Sequence, residues 1–172
     1  IITCIIISIL FVNYFCKLLN VPSKIGSLIA VGTSICGASA IVATSPAINA
    51  NKEEVTYAIA NITIFGIIAM FVYPFLAHYL FSGNELSIGL FLGTSIHETA
   101  QVAGAGLIYS EQYSSQITMD IATVTKLVRN ISMIVVIPLI SFLYLKNNID
   151  KKNTKPSILS MFPIFIIGFI FM

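Results

Sequence analysis

Long apolar runs separated by short polar loops make up most of this chain. A helix that crosses a bilayer needs about 20 apolar residues, at ~1.5 Å rise each across ~30 Å of hydrocarbon. Six stretches approach that requirement: 1–19, 25–48, 55–81, 86–108, 121–145 and 158–172. The stretches 1–19, 55–81 and 121–145 read as spans, the latter two carrying Pro74 and Pro138. The last stretch reads as a shorter piece of another span. The stretches 25–48 and 86–108 are long enough, but glycines and hydroxyls crowd their centres: Gly32-Thr-Ser-Ile-Cys-Gly-Ala-Ser39 in one and Gly93-Thr-Ser-Ile-His-Glu-Thr-Ala-Gln-Val-Ala-Gly104 in the other. The predicted fold is an all-α, polytopic membrane protein. It has a single transmembrane domain over 1–172, in which two Gly-rich segments are broken or re-entrant.

The two broken segments share a motif, since Gly32-Thr33-Ser34-Ile35 recurs as Gly93-Thr94-Ser95-Ile96. The spans that follow them also match, with Met70 to Pro74 against Met133 to Pro138. A unit of broken segment plus proline-bearing helix therefore occurs twice. Such repeats, with Gly-interrupted segments in corresponding positions, point to a transporter's binding site. Lysines orient the chain by the positive-inside rule. Lys17 and Lys24 flank one loop and Lys146, Lys151, Lys152 and Lys155 fill another, whereas 109–120 carries Glu111 and Asp120 and no base. The lysine-bearing loops are expected in the cytoplasm and 109–120 outside. Two topologies satisfy this. If the broken segments cross, the two units run parallel. If they re-enter, the units run antiparallel, as an inverted repeat, and this arrangement is slightly preferred.

Composition agrees with a bilayer. Apolar residues are 57% of the chain and charged residues 9%, against about 25% charged in soluble domains. A net charge of +2 without a basic stripe gives no reason to expect a nucleic-acid partner. The chain begins with Ile1 and stops at Met172, both inside apolar runs, so it reads as an internal piece of a longer transporter with helices missing at both ends. Cys4, Cys16 and Cys36 lie in or beside apolar runs and read as packing residues, in no metal-binding spacing.

The chemistry is expected at the breaks. Irregular backbone in hydrocarbon is tolerated only where protein or a water-filled cavity surrounds it. Half-helix N-termini there present unpaired N–H groups and a partial positive charge, a ready anion site. Thr33, Ser34, Ser39, Thr94 and Ser95 would add hydroxyl donors. The bland alternative is that small residues simply let helices pack closely. His97 and Glu98 form the sharpest feature, because an ionisable residue at membrane depth costs ~2.5–3.5 kcal/mol or more. Together they are expected to relay a proton or bind a cation, unless they form an internal pair locking two helices. Gln101 lies on the same helical face as His97. Lys126 and Arg129, three apart, would be counter-charges for Glu98 or ligands for an anion, Arg suiting an oxyanion by its fork of donors; snorkelling to the interface is the alternative. The stretch His97-Glu-Thr-Ala-Gln101 lacks the second histidine of a zinc-protease motif. With no nucleophile–base pair and no metal set, no enzyme activity and no cofactor are expected.

Three stretches, Gly32-Thr-Ser-Ile-Cys-Gly-Ala-Ser-Ala40, Ile96-His-Glu-Thr-Ala-Gln-Val102 and Lys126-Leu-Val-Arg129, resemble signature stretches of the bacterial YeiH-like sulfate exporter family in order and spacing. The resemblance covers nearly the whole chain. It implies a complete protein of roughly ten or eleven membrane helices, located in the inner membrane and carrying a small anion such as sulfate. Family members often carry Lys in the Pro-x-x-Lys position after the first motif, where this chain has Asn49.

The leading functional expectation is therefore a multi-pass secondary transporter of a small inorganic or organic anion, with H+ or Na+ as a coupling ion. Two alternatives stay open: a cation-coupled organic-acid carrier, and a non-transport membrane protein. The sequence leaves the oligomeric state open.

Overall fold

The computed structural model describes residues 1–139. The stretch 158–172, the end of 121–145 and the lysine-bearing loop between them lie outside the described residues. Within 1–139 all regular structure is helical: α1 (Ile2–Leu18), α2 (Ser23–Ser34), α3 (Ala38–Thr44), α4 (Lys52–Phe81), α5 (Glu85–Ser95), α6 (Thr99–Tyr113), α7 (Gln116–Ile131) and α8 (Met133–Leu139). The expected all-α membrane fold is the observed one.

The outer helix ends stop where their own residues cap them. Asn51 and Glu54 form a capping box at the start of α4: the Asn51 carboxamide oxygen accepts from Glu54 N–H at 2.9 Å, and Glu54 Oε2 accepts from Asn51 N–H at 2.8 Å. Asn84 accepts from Ser87 N–H at the start of α5, and Ser115 Oγ from Thr118 N–H at the start of α7. Ser82 and Ser114 end α4 and α6 in the left-handed region, at φ 49° and 55°.

Helix α4 is packed inside out relative to a helix of a soluble protein. It buries small residues, among them Ala58, Gly66, Ala69 and Ala77, and exposes Phe65, Ile68, Phe71 and Phe75. Without water there is little hydrophobic gain in joining helices, so close backbone approach through small residues does the work, and bulky side chains face lipid. Among the described residues, α4 is long and apolar enough to cross a membrane. The pair α7–α8, bent by 41°, meets the same requirement as one broken span, and α1 is apolar but shorter.

Both broken segments are helical hairpins. In the first, α2 advances and α3 returns. Lys24 near the start of α2 donates to Asn49 C=O at 2.7 Å, just after α3, and Gly32 packs against Ile41. The tip is residues 35–37. In the second, α5 runs parallel to α7, with Gly89 on Ile121, Gly93 on Thr125 and Ile96 on Lys126. Helix α6 runs back along α7, with Thr99 at Asn130 and Gly106 at Met119. The tip is residues 96–98. Each hairpin thus begins and ends at the same end of the bundle.

The hairpins enter from opposite ends and meet beside the middle of α4. The first lies along the early part of α4, where Lys24 faces Glu54 at 3.9 Å and Gly32 faces Ile62. The second lies along the later part, where Glu98 faces Thr63, Gln101 faces Gly66, Gly104 faces Met70 and Tyr109 faces His78. Helices α4 and α7 run in opposite directions. The units α2–α3–α4 and α5–α6–α7–α8 are therefore an inverted repeat, the antiparallel of the two arrangements open at the sequence level. The partner swap is reciprocal: α4 continues onto α6, and α8 continues onto α3, where Met133, Val136 and Ile137 share a core with Ala40 and Ala43.

Candidate functional site at the hairpin tips

Breaking a helix leaves carbonyls unpaired on one side of the break and N–H groups unpaired on the other. The carbonyl ends here are those of α2 and α5, and one turn of α7 takes both. Lys126 Nζ donates to Ile35 C=O and to Ile96 C=O, each at 2.9 Å. Arg129 Nε donates to Ser34 C=O at 3.0 Å, its Nη2 to Thr33 C=O at 2.6 Å and its Nη1 to Thr94 C=O at 2.6 Å. The two side chains are 0% and 2% exposed. A cation at a helix C-terminus also complements the local dipole, and here each cation serves two C-termini at once.

This geometry revises the expectation for the pair. Snorkelling is excluded by burial. Neither residue forms an ion pair with Glu98; the one ion pair among the described residues is Lys24–Glu54. All three nitrogens of Arg129 and two of the three Lys126 donor positions are committed to backbone. The hydroxyls are also partly committed: Ser34 Oγ donates to Val31 C=O, and Thr94 Oγ1 to Leu90 C=O at 2.7 Å. Thr33, Ser34 and Thr94 therefore meet the cations through their carbonyls, since a hydroxyl in a helix readily bonds back into its own turn. Ser95 closes α5 half-buried at the tip, while Ser39 is exposed in the first turn of α3 and makes no side-chain hydrogen bond among the described residues.

The N–H side of the second break is different. In α6 the first intrahelical bond runs from Val102 N–H to Glu98 C=O, which leaves the N–H groups of Thr99, Ala100 and Gln101 ahead of it. Glu98 occupies the N-cap position but makes no capping bond. Its side chain crosses to the other tip instead, lying against Gly37 and accepting from Thr63 Oγ1 at 3.5 Å. Gly37, at φ 73° and ψ −125°, has a backbone that only glycine adopts freely, and a Cβ there would lie 2.6 Å from Glu98 Cγ. Gln101 donates from Nε2 to Thr63 C=O at 3.3 Å. His97 Nδ1, Gln101 Oε1 and Asn130 Oδ1 are buried without a hydrogen-bond partner among the described residues.

The structure thus gathers nine of the ten predicted residues at the two tips: Thr33, Ser34, Thr94, Ser95, His97, Glu98, Gln101, Lys126 and Arg129. It adds Thr63, Gly37 and Asn130. Asn130 donates to Thr99 Oγ1 at 3.1 Å and so ties α7 to the first turn of α6. Neither Thr63 nor Asn130 stands out within its apolar run, and only the repeat register would have pointed to the middle of 55–81. Among the described residues no group of His, Cys, Asp and Glu is placed to hold a metal ion.

The fold and site define an all-helical membrane protein built around two opposed hairpins. The family model described as conserved hypothetical protein 698 matches residues 1–172, and the chain belongs to that family, the YeiH-like group that its motifs resemble. It is 36% identical over 165 residues to a UPF0324 membrane protein of Fusobacterium nucleatum subsp. nucleatum, covering 95% of this chain and 46% of that protein. It is 34% identical over 165 residues to a UPF0324 membrane protein of Streptococcus pneumoniae, covering 96% and 47%. It is 38% identical over 143 residues to one from Pasteurella multocida, covering 83% and 41%. The chain spans about half the length of these curated relatives. No solved structure matches it.

Proposed function

We propose that this chain is the substrate-binding part of a multi-pass secondary transporter of the bacterial inner membrane, and that the cargo is a small anion of the sulfate class. The observation that carries the reading is the meeting of two opposed hairpin tips beside the centre of an apolar helix. Peptide groups freed in mid-membrane must face protein or an aqueous cavity. Substrate sites of secondary transporters lie where half-helices of inverted repeats face each other near the midplane. The carbonyl ends are neutralised by Lys126 and Arg129, so the groups left for a solute are the N–H groups at the starts of α3 and α6, the longer α6 bringing the partial positive charge of its helix end. An oxyanion suits such a site. The motif resemblance supports sulfate as the first anion to try.

Reconstitution of the full-length protein in liposomes tests the proposal. Labelled sulfate should exchange against internal sulfate faster than in empty liposomes, and substitution of Gly37 by Ala should abolish the exchange. No exchange of sulfate, sulfite, alkyl sulfonates or dicarboxylates above empty liposomes would refute it. Exchange confined to dicarboxylates would move the cargo to organic acids.

A further inference from the structure

Asn61 lies in the third turn of α4, away from the hairpin tips. At ~1.5 Å per residue it is about 8 Å from the midpoint of that helix, well inside ~30 Å of hydrocarbon. Its side chain is half-buried and makes no hydrogen bond among the described residues. Asn13 on α1 behaves differently, donating back to Ile9 C=O of its own helix at 2.9 Å. An amide without partners is costly in an apolar medium. In membranes such side chains bond across to a neighbouring helix.

The surroundings of Asn61 have a pattern. Tyr57, Asn61, Ile64, Ile68, Phe71 and Phe75 follow one another in alternating steps of four and three, the seam of a coiled coil. Apart from Asn61, each is half or more exposed. An apolar seam alone suits lipid as well as protein, but Asn61 does not suit lipid. It shares the same heptad position with Ile68 and Phe75, the inner position where a single Asn sets register and partner number in coiled coils. At the start of the seam, Lys52, Glu53, Thr56, Tyr57 and Ala60 line a groove of about 490 Å³. Lys52 and Glu53 are exposed there, and neither is in an ion pair among the described residues.

We propose that this seam of α4 docks a second copy of the same chain, the two α4 helices packing in parallel about a two-fold axis along the membrane normal, with Asn61 facing Asn61. The bilayer holds both copies at the same depth, so such an axis sets each seam residue against its own counterpart. A carboxamide carries donors and an acceptor, so two facing Asn61 side chains satisfy each other. A partner of another sequence would need its own polar group at that depth; a second copy brings one by symmetry. The charges are self-complementary too, Lys52 of one copy reaching Glu53 of the other. Such exposed pairs add little affinity but favour this orientation. Ala60 beside the seam keeps the close approach open. The opposite face of α4, with Ala58, Gly66 and Ala69, stays with the hairpins, so pairing leaves the tips as they are and does not depend on the cargo.

The test uses full-length protein in liposomes. In a cysteine-free background, single cysteines along α4 are oxidised with copper phenanthroline. Tyr57→Cys, Ile64→Cys, Ile68→Cys and Phe71→Cys should each give a cross-linked dimer, whereas Ala58→Cys, Ile62→Cys and Ala69→Cys, which face the hairpins, should not. Association is then followed by energy transfer between donor-labelled and acceptor-labelled copies as the lipid-to-protein ratio rises. Asn61→Leu should weaken it roughly fivefold, and Asn61→Gln should keep most of it. Lys52→Glu should weaken it slightly at low salt, and adding Glu53→Lys should restore it. A monomer at every lipid ratio overturns the proposal. So does an Asn61→Leu dimer as tight as the wild type, or a dimer that cross-links at none of the four seam positions. In a monomer, labelling of Ile64→Cys by a lipid-soluble maleimide would assign the seam to lipid. Its protection there would assign the seam to the remaining length of the full protein. Either result overturns the second copy.

Discussion

Replacing Arg129 by Ala should destabilise the protein more than any other single substitution at the tips. Arg129 gives three donors to the carbonyls of Thr33, Ser34 and Thr94, at a position 2% exposed. Each buried acceptor left without a donor costs ~1–3 kcal/mol, so the three together cost roughly 3–9 kcal/mol. Water entering the vacated space can serve some of the carbonyls, which places the expected loss near the lower end, about 3–5 kcal/mol. Burying the guanidinium carries its own desolvation penalty, and a buried ion pair can often be exchanged for apolar residues without loss. That exchange is unavailable here, because the partners are backbone carbonyls that no substitution removes. Arg129→Lys keeps the charge but offers one nitrogen to three acceptors, so it should recover less than half of the loss. Lys126→Met abandons two carbonyls and should cost about 2–4 kcal/mol. The assay is size-exclusion chromatography of fluorescently tagged full-length protein after heating. At ~1–2 °C per kcal/mol for a protein of its relatives' length, Arg129→Ala should melt roughly 5 °C below the wild type, with Lys126→Met and Arg129→Lys in between. If Arg129→Ala melts within about two degrees of the wild type, the clamp does not hold the tips and the reasoning fails.

Sidedness follows from the hairpins: in a cysteine-free background, cysteines at Lys24 and Lys52 should react with a membrane-impermeant maleimide from one side, and cysteines at Glu85 and Glu111 from the other. Labelling of the Lys24 and Lys52 positions from opposite sides would exclude the inverted repeat. Gly37→Ala should cost ~1–3 kcal/mol in backbone strain, beyond its clash with Glu98, and should abolish exchange even where the protein is recovered; wild-type exchange would show that the tip is not a close contact. Gly66→Ala should be more damaging than Gly104→Ala in melting temperature, since its Cβ displaces the bonded Gln101 amide while that of Gly104 meets only the flexible end of Met70. Equal losses would count against an ordered Gln101.

Much of the fold was legible because hydrocarbon imposes few solutions. The starts and stops of α1 and α4 and the start of α5 lie within a few residues of the apolar runs 1–19, 55–81 and 86–108, and the breaks fall on the shared Gly-Thr-Ser-Ile motif as expected. Crossing or re-entry was not legible, because both place the same loops on the same sides and periodicity does not report direction. That was decided by contacts distant in sequence, such as Lys24 with Asn49 and Thr99 with Asn130. The role of Lys126 and Arg129 was hidden for a related reason. A sequence shows side chains that carry charge, but the partners here are carbonyls present at every residue. Only the fold says which carbonyls have lost their helix.

The inverted repeat is symmetric in backbone and asymmetric in chemistry, and the asymmetry is where function enters. The register that lays Gly32 on Gly93 brings the middle of α4, at Thr63, onto the turn of α7 that carries Lys126. Both helices pass the tips at equivalent points. From α7 the tips receive two cations, which silence the carbonyl ends of both hairpins and fix them together. From α4 they receive a hydroxyl, a carbonyl and the bare surface of Gly66, which leave Glu98 without an ion pair and Gln101 Oε1 without a donor among the described residues. A scaffold needing only stability would satisfy both faces alike. One face here is closed by its own side chains, and the other is held open in its electrostatics, next to the N–H groups of α6. The open face is the one on which a solute can act, and the closed face gives it something rigid to act against.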